Sequence, residues 1–80
     1  MVFDNQTVGS VIRKMRKDKG MTQEFLSGFA GIARSHLSMI ERGTKQPNFE
    51  TIWKIALALG LSPSELVAKI EKECEIQKKE

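Results

Sequence analysis

Cysteine, histidine, proline and aromatic side chains are all scarce in these 80 residues, and each shortage excludes something. Cys74 is the only cysteine, so no internal disulfide can form, and a reduced, cytoplasmic setting is expected. His36 is the only histidine and lies far from Cys74 in sequence, which leaves no cluster with metal-ligand spacing. A glycine-rich phosphate loop followed by Lys and Ser or Thr is also missing. Catalysis is therefore the least supported class, and neither a metal nor another cofactor is expected. The longest uncharged apolar run, Ile55 to Leu61, falls far short of the ~20 residues that span a bilayer. No apolar stretch preceded by basic residues reads as a leader, so no membrane partner is expected.

What is present is a globular composition, 40% apolar and 29% charged, in a chain long enough for one domain. A chain of this size buries only roughly 60% of its unfolded surface, so its core must be small. The net charge of +3 is unevenly spread. Residues 1–20 hold Arg13, Lys14, Arg16, Lys17 and Lys19 against Asp4 and Asp18, residues 21–47 are nearly balanced, and residues 48–80 are slightly acidic. A basic excess in the first half fits an anion-binding surface, although basic clusters are often simply solvated.

Glycine and proline divide the chain into short segments with helical rather than alternating periodicity. Val8, Val11, Ile12 and Met15 predict a first helix over about 7–19, preceded by an N-terminal arm of residues 1–6. Thr22 caps a short second helix with Phe25, Leu26, Phe29 and Ala30 apolar, ending at Gly31. A third runs up to Gly43 on Ala33, Leu37 and Ile40. After the loop GTKQPN, Asn48 caps a fourth over about 49–59, where Trp53 and Leu57 widen an apolar face built on Ile52, Ile55, Ala56 and Leu59. Ser62 and Glu65 form a capping box around Pro63, with Leu61 and Leu66 spaced as a hydrophobic staple. This fifth helix closes a domain over 7–70. Residues 71–80 are expected to be a charged helical extension or tail, with order fading after about residue 73.

The second and third helices are joined by a turn too short for ordinary antiparallel packing, which predicts a helix-turn-helix in QEFLSGFAGIARSHLSMIER. The flanks extend the pattern. The basic first helix followed by KGMTQE, the central LS-x-IERG-x-x-x-P and the closing IAxALGLSPSEL stand in order over roughly residues 8–68. This run resembles the Cro/cI repressor-like helix-turn-helix family, also called the XRE family. Its short length and RSHLSMIERG stretch are similar to the controller proteins of restriction-modification systems. The resemblance implies an all-α, five-helix, lambda-repressor-like domain that binds double-stranded DNA as a homodimer and regulates transcription. Two departures from the family pattern are Ser27, where Ala is common, and Ala33, where a capping Ser, Thr or Asp is common.

In that architecture the third helix enters the major groove and helix N-termini with flanking loops hold phosphates. Arg34 offers paired donors to the O6 and N7 acceptors of guanine and is the first choice for base readout. Ser35 suits a base edge or a phosphate. His36 and Met39, expected on the exposed side, join it, and the methyl group of Ala33 suits a thymine methyl. Gln23 resembles the family's phosphate-clamping glutamine at a helix N-terminus. Arg42, Thr44 and Lys45 follow the helix toward the other flank of the groove. Ser38 is assigned to phosphate, with packing or a local backbone bond as its alternative. Lys17 and Lys19 read as solvated. The family resemblance implies that Glu41 pairs with Arg13 or Arg16, which as a surface pair would contribute only ~0–1 kcal/mol.

Leu61, Leu66, Val67 and Ile70 are the expected dimer face, with core filling as the alternative. No effector domain is recognisable, so no small-molecule ligand is expected. A competing reading is an antitoxin-type protein-interaction module that also autoregulates its operon.

Overall fold

The computed structural model describes residues 3–78, which form five helices and, among the described residues, no strand. They are α1 (Asn5–Asp18), α2 (Gln23–Ala30), α3 (Arg34–Arg42), α4 (Phe49–Ala58) and α5 (Pro63–Lys78). The all-α, five-helix expectation holds. α1 packs most extensively on α3 and also touches α5, while α2 packs on α3 and α4, and α4 packs on α5.

Among the described residues, α1 starts earlier than the sequence reading proposed, and of the two alternatives for residues after 70 the helical extension is the one seen. Asp4 Oδ1 accepts the Gln6 backbone N–H at 3.0 Å and Oδ2 accepts the Thr7 hydroxyl at 3.2 Å, so α1 begins at Asn5, inside the expected arm. α5 continues to Lys78, beyond residue 73, because Leu66, Ile70 and Cys74 repeat every four residues and all three are buried. Residues 1, 2, 79 and 80 of the expected arm and tail lie outside the described residues. The α5 capping box is present: the Ser62 N–H donates to Glu65 Oε1 at 2.8 Å, and the Glu65 N–H donates to Ser62 Oγ at 3.2 Å.

The core is aliphatic. Ile12, Leu26, Leu37, Ile40, Ile55, Leu59 and Leu66 are fully enclosed, with Val8, Val11, Ala30, Ala56, Ala58, Ile70 and Cys74 around them. All four phenylalanines and the single tryptophan are exposed instead, from Trp53 at 48% to Phe29 at 71%. Trp53 and Leu57 therefore do not widen the core-facing side of α4, as their spacing proposed. They share a different face of the helix.

Two contacts fix the packing of α1 on α3. At Gly9 the helices meet backbone to backbone: a Cβ there would collide with the Ile40 carbonyl oxygen and lie 2.7 Å from that of Glu41. Glycine costs about 1 kcal/mol of helix propensity mid-helix, and here it is the only residue that lets α1 approach. About two turns further along α1, Arg16 grips Glu41 through two parallel bonds, Nε to Oε2 at 2.8 Å and Nη2 to Oε1 at 3.0 Å. Its remaining arm donates from Nη1 to the Met21 carbonyl at 2.7 Å, anchoring the α1–α2 turn. Of the two proposed partners for Glu41, Arg16 is the one used, and the pair is buried rather than on the surface. The bond to Glu41 raises the Arg16 pKa above its ordinary value, against the opposing effect of burial.

These contacts and caps set the expected stability of four variants. Gly9→Ala is expected to cost about 1–3 kcal/mol in urea unfolding because backbone must move. Gly28→Ala, where a Cβ meets nothing within 4 Å, should instead gain up to ~1 kcal/mol. Glu41→Ala, which strands a buried guanidinium, should cost about 3–5 kcal/mol, and Arg16→Met combined with Glu41→Leu should recover most of it. The Ser62 backbone N–H, with its hydroxyl, holds the Glu65 carboxyl below the usual carboxylate range. Its stabilising contribution is complete above the unfolded-chain pKa of about 4.3 and disappears as pH falls through the lower folded value. The gap in Tm between wild type and Glu65→Gln should therefore be present at neutral pH and close in acid.

Candidate nucleic-acid interface

The geometry of this side of the molecule starts from a short turn. α2 ends at Gly31, whose φ of 75° is left-handed, and the Ile32 N–H returns to the Ser27 carbonyl at 3.0 Å. Three residues, 31–33, thus separate α2 from α3. Ser27, the departure noted in the sequence, is accommodated: it is buried and its hydroxyl donates to the Glu24 carbonyl at 3.2 Å. Ala33 precedes α3 without any side-chain capping bond, as its side chain requires.

α3 is one-sided. Leu37, Ile40 and Glu41 face inward and are buried, while at 100° per residue Ser35, Ser38, Met39 and Arg42 point the opposite way, flanked by Arg34 and His36. Ala33, Arg34, Ser35, Arg42, Thr44 and Lys45 are exposed. His36, Ser38 and Met39 are half-buried, so the outward side of α3 is only partly open at these three positions. Thr44 donates its hydroxyl to the Met39 carbonyl at 3.1 Å, and its N–H reaches the same oxygen at 3.0 Å. That hydroxyl therefore closes the end of α3, leaving its lone pairs rather than its proton for any outside group.

At the other end of α3, Arg34 faces the start of α2 across an open cleft of about 500 Å³, lined also by Arg16, Thr22, Gln23 and Glu24. Thr22 Oγ1 accepts the Phe25 N–H at 3.0 Å and caps α2. Gln23 Nε2 donates to Glu41 Oε1 at 3.1 Å, so the side chain expected to clamp phosphate is itself held by the buried ion pair. Sequence reading missed this bond because Gln23 and Glu41 lie 18 residues apart with no local pattern linking them. The cleft combines a helix N-terminus with a guanidinium and a positioned amide, the chemistry that receives one oxyanion.

Part of the basic excess in α1 is consumed internally. Arg16 is committed to Glu41, and Lys14 pairs with Asp18 at 3.2 Å on the surface. The cations along the outer side of α3 and its following loop, Arg34, Arg42 and Lys45, are exposed. The expected dimer residues divide. Leu66 is fully enclosed in the protomer core, Ile70 is mostly buried but lines an open groove with Phe3 and Val67, Leu61 is half-buried against the core, and Val67 is exposed. The exposed apolar side chains nearby are instead Phe49, Trp53 and Leu57, repeating every four residues along α4, with the first two rings edge to face at 5.8 Å.

Comparison with known proteins agrees with this arrangement. The helix-turn-helix family HTH_3 matches residues 12–66. An uncharacterized HTH-type transcriptional regulator of Sinorhizobium fredii, y4dJ, is 42% identical over 60 residues, 75% of this chain and 78% of the relative. The restriction-modification controller protein C.AhdI from Aeromonas hydrophila is 35% identical with a TM-score of 0.75, covering 78% of this chain and 94% of that one. The controller protein C.Esp1396I, solved as a tetramer in complex with its natural 35 base-pair operator, is 32% identical with a TM-score of 0.81, covering 91% and 96%. With the short turn, the one-sided α3 and these matches together, the chain belongs to the HTH_3 helix-turn-helix family, the XRE-type, Cro/cI-like DNA-binding transcriptional regulators that its motifs resemble.

Proposed function

We propose that this chain is a sequence-specific regulator that binds double-stranded DNA as a homodimer on a pseudo-palindromic operator, in the manner of a restriction-modification controller protein. The observation that carries the reading is the outer side of α3, polar and cationic, backed by an inner side locked into the core. Arg34, Ser35, His36 and Met39, with the Ala33 methyl, read base edges. Gln23, Ser38, Arg42, Thr44 and Lys45 meet phosphates. Such a protein acts by occupying DNA rather than by catalysis, needs no cofactor or effector, and works in the cytoplasm. The named relatives are transcriptional regulators and controller proteins, which favours this reading over the antitoxin alternative.

The dimer contact is assigned to the Phe49–Trp53–Leu57 stripe of α4, with Leu61 and Val67 beside it, while Leu66 and Ile70 support that face from the core. Two recognition helices then stand about one helical turn, roughly 34 Å, apart. A 35 base-pair duplex is a little over three turns, long enough for two such dimers side by side.

Selection from a random duplex library should return a two-fold symmetric motif bound at least ~10³ tighter than bulk DNA, and no enrichment would overturn the reading. Arg34→Ala should relax preference at one base position at a cost of about 1–3 kcal/mol, whereas Lys45→Ala should weaken all sequences alike and flatten the salt dependence. Trp53→Glu should give a monomer by sedimentation while leaving the helical content unchanged.

A further inference from the structure

The buried charge pair between α1 and α3 reaches the cleft proposed to meet phosphate. Arg16 lines the wall of that cleft, yet all three nitrogens of its guanidinium already donate inside the protomer, Nε and Nη2 to Glu41 and Nη1 to the Met21 carbonyl. Its charge is matched by Glu41 at 2.8 Å. The pair therefore offers a phosphate little directly, and its influence on the cleft passes through the further side chain that Glu41 holds.

That side chain is Gln23, half-buried at the first position of α2, whose Nε2 donates to Glu41 Oε1 at 3.1 Å. An ionised carboxylate can only accept hydrogen bonds, so it decides which way round the amide lies: the nitrogen must face Glu41. The same nitrogen carries a second N–H, and a donor is what a phosphate oxygen requires. A glutamine on an open surface would have to be ordered by the duplex itself, which weakens binding by about two- to tenfold for one such side chain. In this protein the ordering is done on folding, by a carboxylate that Arg16 keeps charged and fixed through two parallel bonds.

We propose that the Arg16–Glu41 pair is part of the DNA-binding apparatus: through the bond from Gln23 to Glu41 it sets the phosphate-clamping amide in place before DNA arrives. Arg16 and Glu41 are positioning residues, and neither touches the duplex. The inference rests on the reading of Gln23 as a phosphate contact. Because the pair is neutral as a unit, replacing both members leaves the net charge at +3, and a change in affinity then reports geometry rather than long-range attraction.

The test compares the full-length wild type, Arg16→Met/Glu41→Leu, Gln23→Ala and the triple variant, each first shown to be folded by urea unfolding. Binding is followed by fluorescence anisotropy on a duplex that lacks the selected site, where phosphate contacts dominate, over a series of salt concentrations. Arg16→Met/Glu41→Leu is expected to bind about two- to tenfold more weakly than wild type, and Gln23→Ala at least as weakly. The triple variant should match Gln23→Ala within about 1.5-fold, because the pair acts only through the amide. The salt slope should stay as in wild type, since a neutral amide displaces no counterion. A loss that persists in the Gln23→Ala background, or a slope lower by about one, would overturn the proposal, the latter by putting Arg16 itself on a phosphate. A second measurement needs no change at Glu41: NMR relaxation of side-chain amides in the free wild type should find Gln23 Nε2 ordered beside the exposed Gln46, and equal mobility of the two would also overturn it. Gln23→Ala binding as tightly as wild type would instead defeat the assignment of Gln23 to phosphate, and this proposal with it.

Discussion

One carboxylate holds three helices. Glu41, on the inner side of α3, accepts two bonds from Arg16 of α1 and a third from Gln23 of α2. A buried charge pair brings little net stability over apolar residues of the same shape, but it tolerates only one geometry, because each missing bond leaves a charge desolvated and unpaired. The forked arrangement therefore acts on orientation. It sets the rotation of α3 about its own axis, and with it which side chains face outward, while the same oxygen that receives Arg16 Nη2 also holds the Gln23 amide at the edge of the cleft.

Gly9 supplies the steric half of the same constraint. Direct backbone contact between α1 and the Ile40–Glu41 carbonyls brings Arg16 within reach of Glu41, and the hydrogen bonds then define register along the contact. Small domains have little apolar surface to bury, so a few such close contacts must do what a larger core does elsewhere. The aliphatic core leaves every aromatic side chain for the outside, on α2, on α4 and at Phe3. The result is a molecule whose surface is divided by chemistry: a polar and cationic side along α3, and separate aromatic faces on α2 and α4.

Much of this was legible in the chain itself. Helix boundaries near residues 22, 48 and 62 carry their own signals in Thr22, Asn48 and Ser62, and each caps the helix it precedes. The ends at Gly31, Gly43 and Gly60 were equally readable, since a left-handed residue stops a helix wherever it falls. The start of α1 was read two residues late because Asp4 is as good a cap as Ser or Thr but stands outside the apolar repeat used to locate the helix. The end of α5 was read early because its charge density resembles a solvated tail, while the single buried Cys74 is enough to continue the inner face.

What the sequence by itself determined was local: the capped starts of α2, α4 and α5, the glycine stops, the short turn between α2 and α3, and the run of motifs that places the chain in its family. Hydrogen-bonding caps, left-handed glycines and helical spacing act over four residues or fewer, so they are present in the order of the residues. The tertiary structure alone decided which of the basic residues in α1 is buried against Glu41, that Gln23 joins them, and which apolar side chains of α4 and α5 are core and which are surface. Leu66 and Val67 are adjacent and equally apolar, yet one is enclosed and the other exposed. That outcome depends on how a helix is rotated against its neighbours, and the rotation is set by contacts between residues far apart in the chain.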